Sequence, residues 1–293
     1  MLARHVALVS QTRHVGLDQL AVASAAIQKQ ITRDFGPIWQ IEADIAAFGK
    51  LSDVPLGYWP ILIRDDIHEQ GAAGIHLNRG NGQPFALVQF SDNWTLTVSH
   101  ECLEMLADPS GNRTQAGNSV ADGQGRVEFL VEVCDPSEAV QFAYSANGVL
   151  VSDFYTPNFF DPVAASGVRY SFTGAITEPR QVLDGGYLSW FDPETEHLFQ
   201  QFVDGGRSQI LDRGPVTADF ANLRELSDRH SADHRMKAMT REAPKHLLLT
   251  RTISRVKGYE GPDSLDKAHH ANARQLTEAI AALPKLGGDP GLH

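Results

Sequence analysis

The stretch Ser99-His100-Glu101-Cys102-Leu103-Glu104-Met105-Leu106-Ala107-Asp108-Pro109 sets one histidine and three carboxylates in an otherwise apolar run. Helical spacing gathers His100, Glu104 and Asp108 into a stripe about 80° wide, with Thr97 inside it and Glu101 about 100° from His100. No Lys or Arg shares that stripe. Carboxylates packed together without a cation repel and raise one another's pKa, and a bound metal ion is the simplest relief. His100 and Glu104 are four residues apart, so their side chains leave the same face and can converge on one ion. Glu101, offset by one position, reaches a water beside that ion. The chemistry this division of labour points to is metal-assisted hydrolysis with Glu101 as general base.

The elements that must position these residues follow from periodicity and punctuation. Ser91-Asp92-Asn93 supplies N-cap residues for the metal helix, and Asp108-Pro109 with Gly111 ends it. Upstream, the pattern predicts a strand over 4–10, a helix over 17–35, strands over 38–45 and 58–63, a Gly/Asn-rich connection over 71–82, and a strand over 84–90. Downstream, residues 126–134 alternate, with Val127, Phe129, Val131 and Val133 on one face and Glu128, Leu130, Glu132 and Cys134 on the other. Asn147-Gly148 predicts a hairpin turn before the run 149–155. Short strands continue to about residue 211, followed by helices over 219–240 and 263–283 around a linker at 241–262. The expected fold class is α+β. Residues 1–215 form a metal-binding domain with an αβ half (1–125) and a β-rich half (126–215), and 216–293 form a helical, basic and His-rich extension.

The motif His-Glu-x-x-Glu at 100–104 resembles the His-Glu-x-x-His motif of zincin-type metallopeptidases, in their glutamate-third-ligand branch, with Glu104 in place of the second histidine. The order helix, strands, rim strand (here Pro84–Phe90) and metal helix is similar as well, over roughly residues 5–135. The resemblance implies a zincin-like peptidase in which His100 and Glu104 bind the metal and Glu101 deprotonates water. It also implies a third ligand from downstream. Glu132 is favoured, while Asp135 and Asp108 are rivals for the place or partners that orient His100 or another ligand. Tyr155 is a candidate donor to an oxyanion, and the rim strand would hold an extended peptide by strand addition. The cofactor expected is one divalent ion, with zinc preferred. Two carboxylate ligands weaken its Lewis acidity and favour the harder manganese or calcium. The alternative reading is a non-catalytic, metal-stabilised scaffold or binding protein on the same zincin-like fold.

Composition narrows the partners. The net charge of −11 argues against nucleic acid; a peptide or protein substrate is what the resemblance implies if the protein is catalytic. Residues 221–274 nevertheless hold eleven Lys or Arg against seven Asp or Glu, and half of the twelve histidines lie at or beyond His230, so the extension is a candidate surface for a protein partner. His230 and His234 are four apart but sit among Asp228, Arg229, Asp233 and Arg235, which reads as a solvated face. Gly80–Gly82 reads as a turn, since no phosphate-loop lysine accompanies it. Cys102 falls on the apolar side of its helix as a core thiol, and two cysteines make no disulfide framework. With no signal-peptide core and no apolar run long enough to span a membrane, the expected location is the cytoplasm.

Overall fold

The computed structural model describes residues 4–69, 71–217, 222–239, 242, 273, 274, 276–278 and 280–282. The predicted linker 241–262, apart from residue 242, and the first part of the helix expected at 263–283 lie outside the described residues. The fold is mixed α/β with several sheets. The elements are β1 (Arg4–Ser10), α1 (Leu17–Lys29), α2 (Gly36–Trp39), β2 (Ala43–Phe48), β3 (Trp59–Arg64), β4 (Gly74–Asn78), β5 (Pro84–Gln89) and α3 (Trp94–Ala107). They continue with β6 (Thr114–Asn118), β7 (Arg126–Leu130), β8 (Tyr144–Ala146), β9 (Val149–Val151), β10 (Tyr187–Asp192), β11 (His197–Asp204), β12 (Arg207–Pro215) and α4 (Leu223–Met239).

The first sheet runs β2-β1-β3-β5-β4; β4 is antiparallel to its neighbour β5, and the other pairings are parallel. Period-2 alternation assigns its two faces. Val6, Leu8, Ile61, Ile63, Ala86 and Val88 join the main core under α1 and α3, where they meet Leu20, Ile27, Val98 and Cys102. Ala7, Val9, Leu62, Phe85 and Leu87 point the other way, against Leu276 and, at the margin, Ala273 and Ile280. Burial on both faces explains why these strands read as continuous apolar runs. The second sheet, β12-β11-β10-β7-β6, is antiparallel throughout, and Phe129 and Trp190 carry the main core into it. The β8–β9 hairpin turns at Asn147 and Gly148, both at positive φ, as that dipeptide predicts.

Three expectations need correction. The strand expected at Ile38–Ile45 is helical to Trp39. A π-helical turn over Gln30–Phe35 continues α1 into α2, and the chain leaves only at Gln40, which is left-handed at φ 54°. Gly36 permits that exit, because a Cβ there would sit 2.6 Å from the Ile41 carbonyl oxygen. The connection expected at 71–82 contains strand β4. As a result β5, expected as the rim strand, is paired on both sides and β4 is the sheet edge. Finally, the strand expected over 126–134 ends at Leu130, and Val131–Cys134 bends towards α3 into a tight turn at Asp135–Ser137. Among the described residues, no helix is long and apolar enough to cross a membrane.

Candidate metal centre

All of α3 except Thr95 is buried, so its acidic stripe faces the protein interior. The helix is held at both ends. At its start Asn93 makes no side-chain cap and instead donates its amide to the Met239 carbonyl, 3.2 Å away on α4. At its end three guanidiniums donate to successive carbonyls: Arg4 to Leu106, Arg113 to Ala107 at 2.7 Å, and Arg224 to Asp108 at 3.0 Å. Cations at this end complement the helix dipole. Midway, Ser99 Oγ donates to Gln30 Oε1 at 2.7 Å and accepts from Ser152 N–H at 3.0 Å, while Gln30 Nε2 donates to the Ser152 carbonyl at 2.8 Å. This buried loop of hydrogen bonds fixes the azimuth of α3 against the π-helical turn after α1 and the residue that follows β9.

That azimuth aims His100 at carboxylates. Its Nε2 lies 3.0 Å from Glu104 Oε2 and 3.3 Å from Asp135 Oδ1. Cys134 N–H donates to Glu104 Oε1 at 3.1 Å, which draws the 131–135 bend onto the helix. Donor atoms of four groups lie close enough to hold an ion: His100, Glu104 and Cys134; His76, Glu101 and Glu104; His100, Asp135 and Glu138; and Glu104, Glu132 and Asp135. His100, Glu101 and Glu138 are 0% exposed, Glu104 and Asp135 2%, and Glu132 5%, so a solvated acidic face is excluded.

The structure thus gathers His100, Glu101, Glu104, Glu132 and Asp135 into one cluster. It places Asp108 differently. One carboxylate oxygen accepts from the N–H groups of Ser110 and Gly111 and from the Ser110 hydroxyl; the other accepts from Arg113 N–H at 2.8 Å and lies 3.2 Å from Arg224. Asp108 therefore orders the turn after α3. Burial pushes the Glu132 carboxyl up; Arg224, 2.8 Å from Oε1, opposes this, while Glu104, Asp135 and Asp108 add to it. Burial alone would lower the Arg224 guanidinium, but Glu132, Asp108, Asp228 and Glu104 raise it, so it stays charged. Burial first, then Glu132, Asp135 and Glu104, raise the Tyr155 hydroxyl far above its ordinary value. That hydroxyl is fully buried beside those carboxylates and makes no hydrogen bond among the described residues. Both cysteines are free, buried thiols; burial pushes Cys102 up to about 12.

Sequence reasoning missed His76, Glu138 and Arg224. His76 lies on β4 with its Nδ1 3.1 Å from Glu101 Oε2. The alternation Gly74-Ile75-His76-Leu77 was the available signal, since period 2 turns Gly74 and His76 together towards α3. Gly74 is what lets β4 approach. A Cβ there would sit 2.6 Å from Glu101 Oε1 and 2.7 Å from Thr97 Cγ2. Arg224 is the cation that the α3 stripe lacks, and it arrives from α4.

Helix α4 lies across the cluster, between the two sheets. Arg224 contacts Glu132, Ser227 Oγ is 2.8 Å from Ser189 Oγ on β10, and Gln200 Nε2 donates to Ser227. Ala232 packs against the cluster that includes Ile67 and Ala72, and Met239 belongs to the cluster of Ala73 and Leu96. His234 packs edge-on to Phe202 at 4.8 Å, and neither it nor His230 belongs to a possible metal group among the described residues. No protein-family model, curated protein or solved structure matches the chain.

Proposed function

We propose that this protein is a divalent-metal hydrolase, a peptidase on a zincin-like scaffold, with its centre on α3. The observation that carries the reading is the convergence of His100 Nε2 on Glu104 Oε2 and Asp135 Oδ1, at 3.0 and 3.3 Å, inside a cluster of fully buried carboxylates. Buried carboxylates of one sign are tolerated when paired or when they coordinate a metal. The donor set fits such an ion: His100 and Glu104, completed by Glu132 or Asp135, offer one nitrogen and several oxygens, which suits zinc and also manganese. When bound, the ion supplies Lewis acidity to a carbonyl and to water. Glu101 takes the proton from the attacking water and delivers it to the leaving amine. His76 holds Glu101 Oε2, and Gly74 keeps β4 close to Oε1, so the base is fixed in one position. The Tyr155 hydroxyl, kept protonated by burial and neighbouring charge, donates to the developing oxyanion. The edge strand β4 replaces β5 as the strand on which an extended peptide would pair. Substrate entry requires α4 to move off the cluster.

A second reading, a metal-stabilised scaffold without catalysis, is favoured by the 0–5% exposure of the cluster and the position of α4 over it. Metal analysis of the purified protein and of His100→Ala tests both readings, and both fail if neither protein holds stoichiometric metal. Turnover of a broad peptide library then separates them. In the peptidase, Glu101→Gln keeps the ion at His100 and loses activity; a scaffold shows no turnover even as wild type.

A further inference from the structure

We infer that the cluster is built for two adjacent divalent cations, the second held by His76, Glu101 and Glu104 beside the one centred on His100. This rests on the metal reading above and adds a second position to it, at which Glu101 is a ligand through one carboxylate oxygen and keeps the other as the base. Two donor sets share no residue. His76, Glu101 and Glu104 form one, and His100, Asp135 and Glu138 form the other; in each, one imidazole and two carboxylates bring their ligand atoms within 4.8 Å of one another. Ligands on opposite sides of a zinc- to calcium-sized ion stand about 4–5 Å apart. Each set is therefore closed to the dimensions of a single ion.

Glu104 links the two positions. It belongs to the His76 set and also to the sets with His100 and Cys134 and with Glu132 and Asp135. Its Oε2 faces His100 while Oε1 accepts from Cys134 N–H. Its membership of both kinds of set places it between the two positions.

Two hydroxyls give an independent indication. Thr97 Oγ1, one turn before Glu101 on the same stripe of α3, and Tyr155 Oη, beside Glu132 and Asp135, are each 0% exposed and hydrogen-bonded to no group among the described residues. One stands near each position, where a ligating water or substrate oxygen would meet it.

The test uses the full-length chain, stripped with a chelator, loaded with excess Mn2+ or, in parallel, Zn2+, and freed of unbound metal by gel filtration. Wild type is expected to retain two ions per chain, with an exchange-coupled Mn2+ resonance spectrum, and His76→Ala to retain one Mn2+ without coupling. One ion in wild type, unchanged by His76→Ala, overturns the second position and leaves the His100 centre standing. No retained Mn2+ or Zn2+ in wild type defeats both. If His76→Ala does not fold, the wild-type spectrum decides, because two ions sharing Glu104 lie about 3.5–4 Å apart and must couple; two uncoupled Mn2+ ions overturn the proposal.

Discussion

Replacing Arg224 with methionine tests how the acidic cluster is held before any metal is considered. Its guanidinium is 1% exposed and is anchored by three oxygens: Glu132 Oε1 at 2.8 Å, Asp108 Oδ2 at 3.2 Å and the Asp108 carbonyl at 3.0 Å. Methionine fills much of the stem but leaves two buried carboxylates and the Asp108 carbonyl without that partner. Removing one side of a buried pair costs about 3–5 kcal/mol, because the charge left behind is uncompensated. At about 2–4 °C per kcal/mol for a chain of this size, the melting midpoint should fall by about 6–20 °C. The measurement is urea and thermal unfolding followed by tryptophan fluorescence in the presence of a chelator, with Arg224→Lys as the variant that keeps the charge but not the fork. The lysine variant should fall between the two. A double-mutant cycle with Glu132→Gln should return a coupling above about 1.5 kcal/mol. A loss below about 1 kcal/mol, as for an exposed ion pair, or a coupling near zero, refutes the assignment of Arg224 as the buried counter-charge.

Three further outcomes follow from the same geometry. Gly74→Val places atoms within 2.6–2.7 Å of Glu101 Oε1 and Thr97 Cγ2, so it should destabilise by about 1–3 kcal/mol and lower metal retention; unchanged metal content in a folded variant contradicts the close approach of β4 to Glu101. Gln30→Ala removes the amide that accepts from Ser99 and donates to Ser152, and should cost about 2–4 kcal/mol in urea unfolding, against less than about 0.5 for an exposed glutamine. Burial raises the Asp192 carboxyl, but hydrogen bonds from Glu194 N–H, the Gln124 amide and Thr195 outweigh this and hold it below the ordinary range. Its stabilising contribution is therefore full above about pH 4 and lost as the pH falls through the lower folded value. Asp192→Ala should have a lower urea midpoint than wild type at pH 7, with a gap that closes on acidification; a gap independent of pH contradicts the sign.

The parts of this protein that are legible in its sequence are those set by local periodicity. α3 and its His100–Glu104 pair, β1, β5 and the Asn147-Gly148 hairpin all follow from spacing of 3.6 or 2 residues and from turn chemistry, which a window of ten residues contains. Where local signals compete, the reading slips. The apolar run Ile38-Trp39-Gln40-Ile41 fits a strand, yet the preceding π-helical turn carries helix to Trp39. Gly71 and Gly82, with Asn78 and Asn81 between them, read as a connection, yet β4 runs through that stretch because β5 offers it a partner. The candidate site divides in the same way. Residue types and spacing on one helix pointed to a histidine, a metal-facing glutamate and an offset glutamate. Which distant groups meet them is a matter of packing. His76 arrives because Gly74 leaves room for the edge strand, Asp135 because the 131–135 bend is drawn to Glu104, and Arg224 because α4 lies between the two sheets. The helix alone looked like charge without a counter-charge, since its cation is 116 residues from Asp108 along the chain and is brought within 3.2 Å only by the tertiary fold.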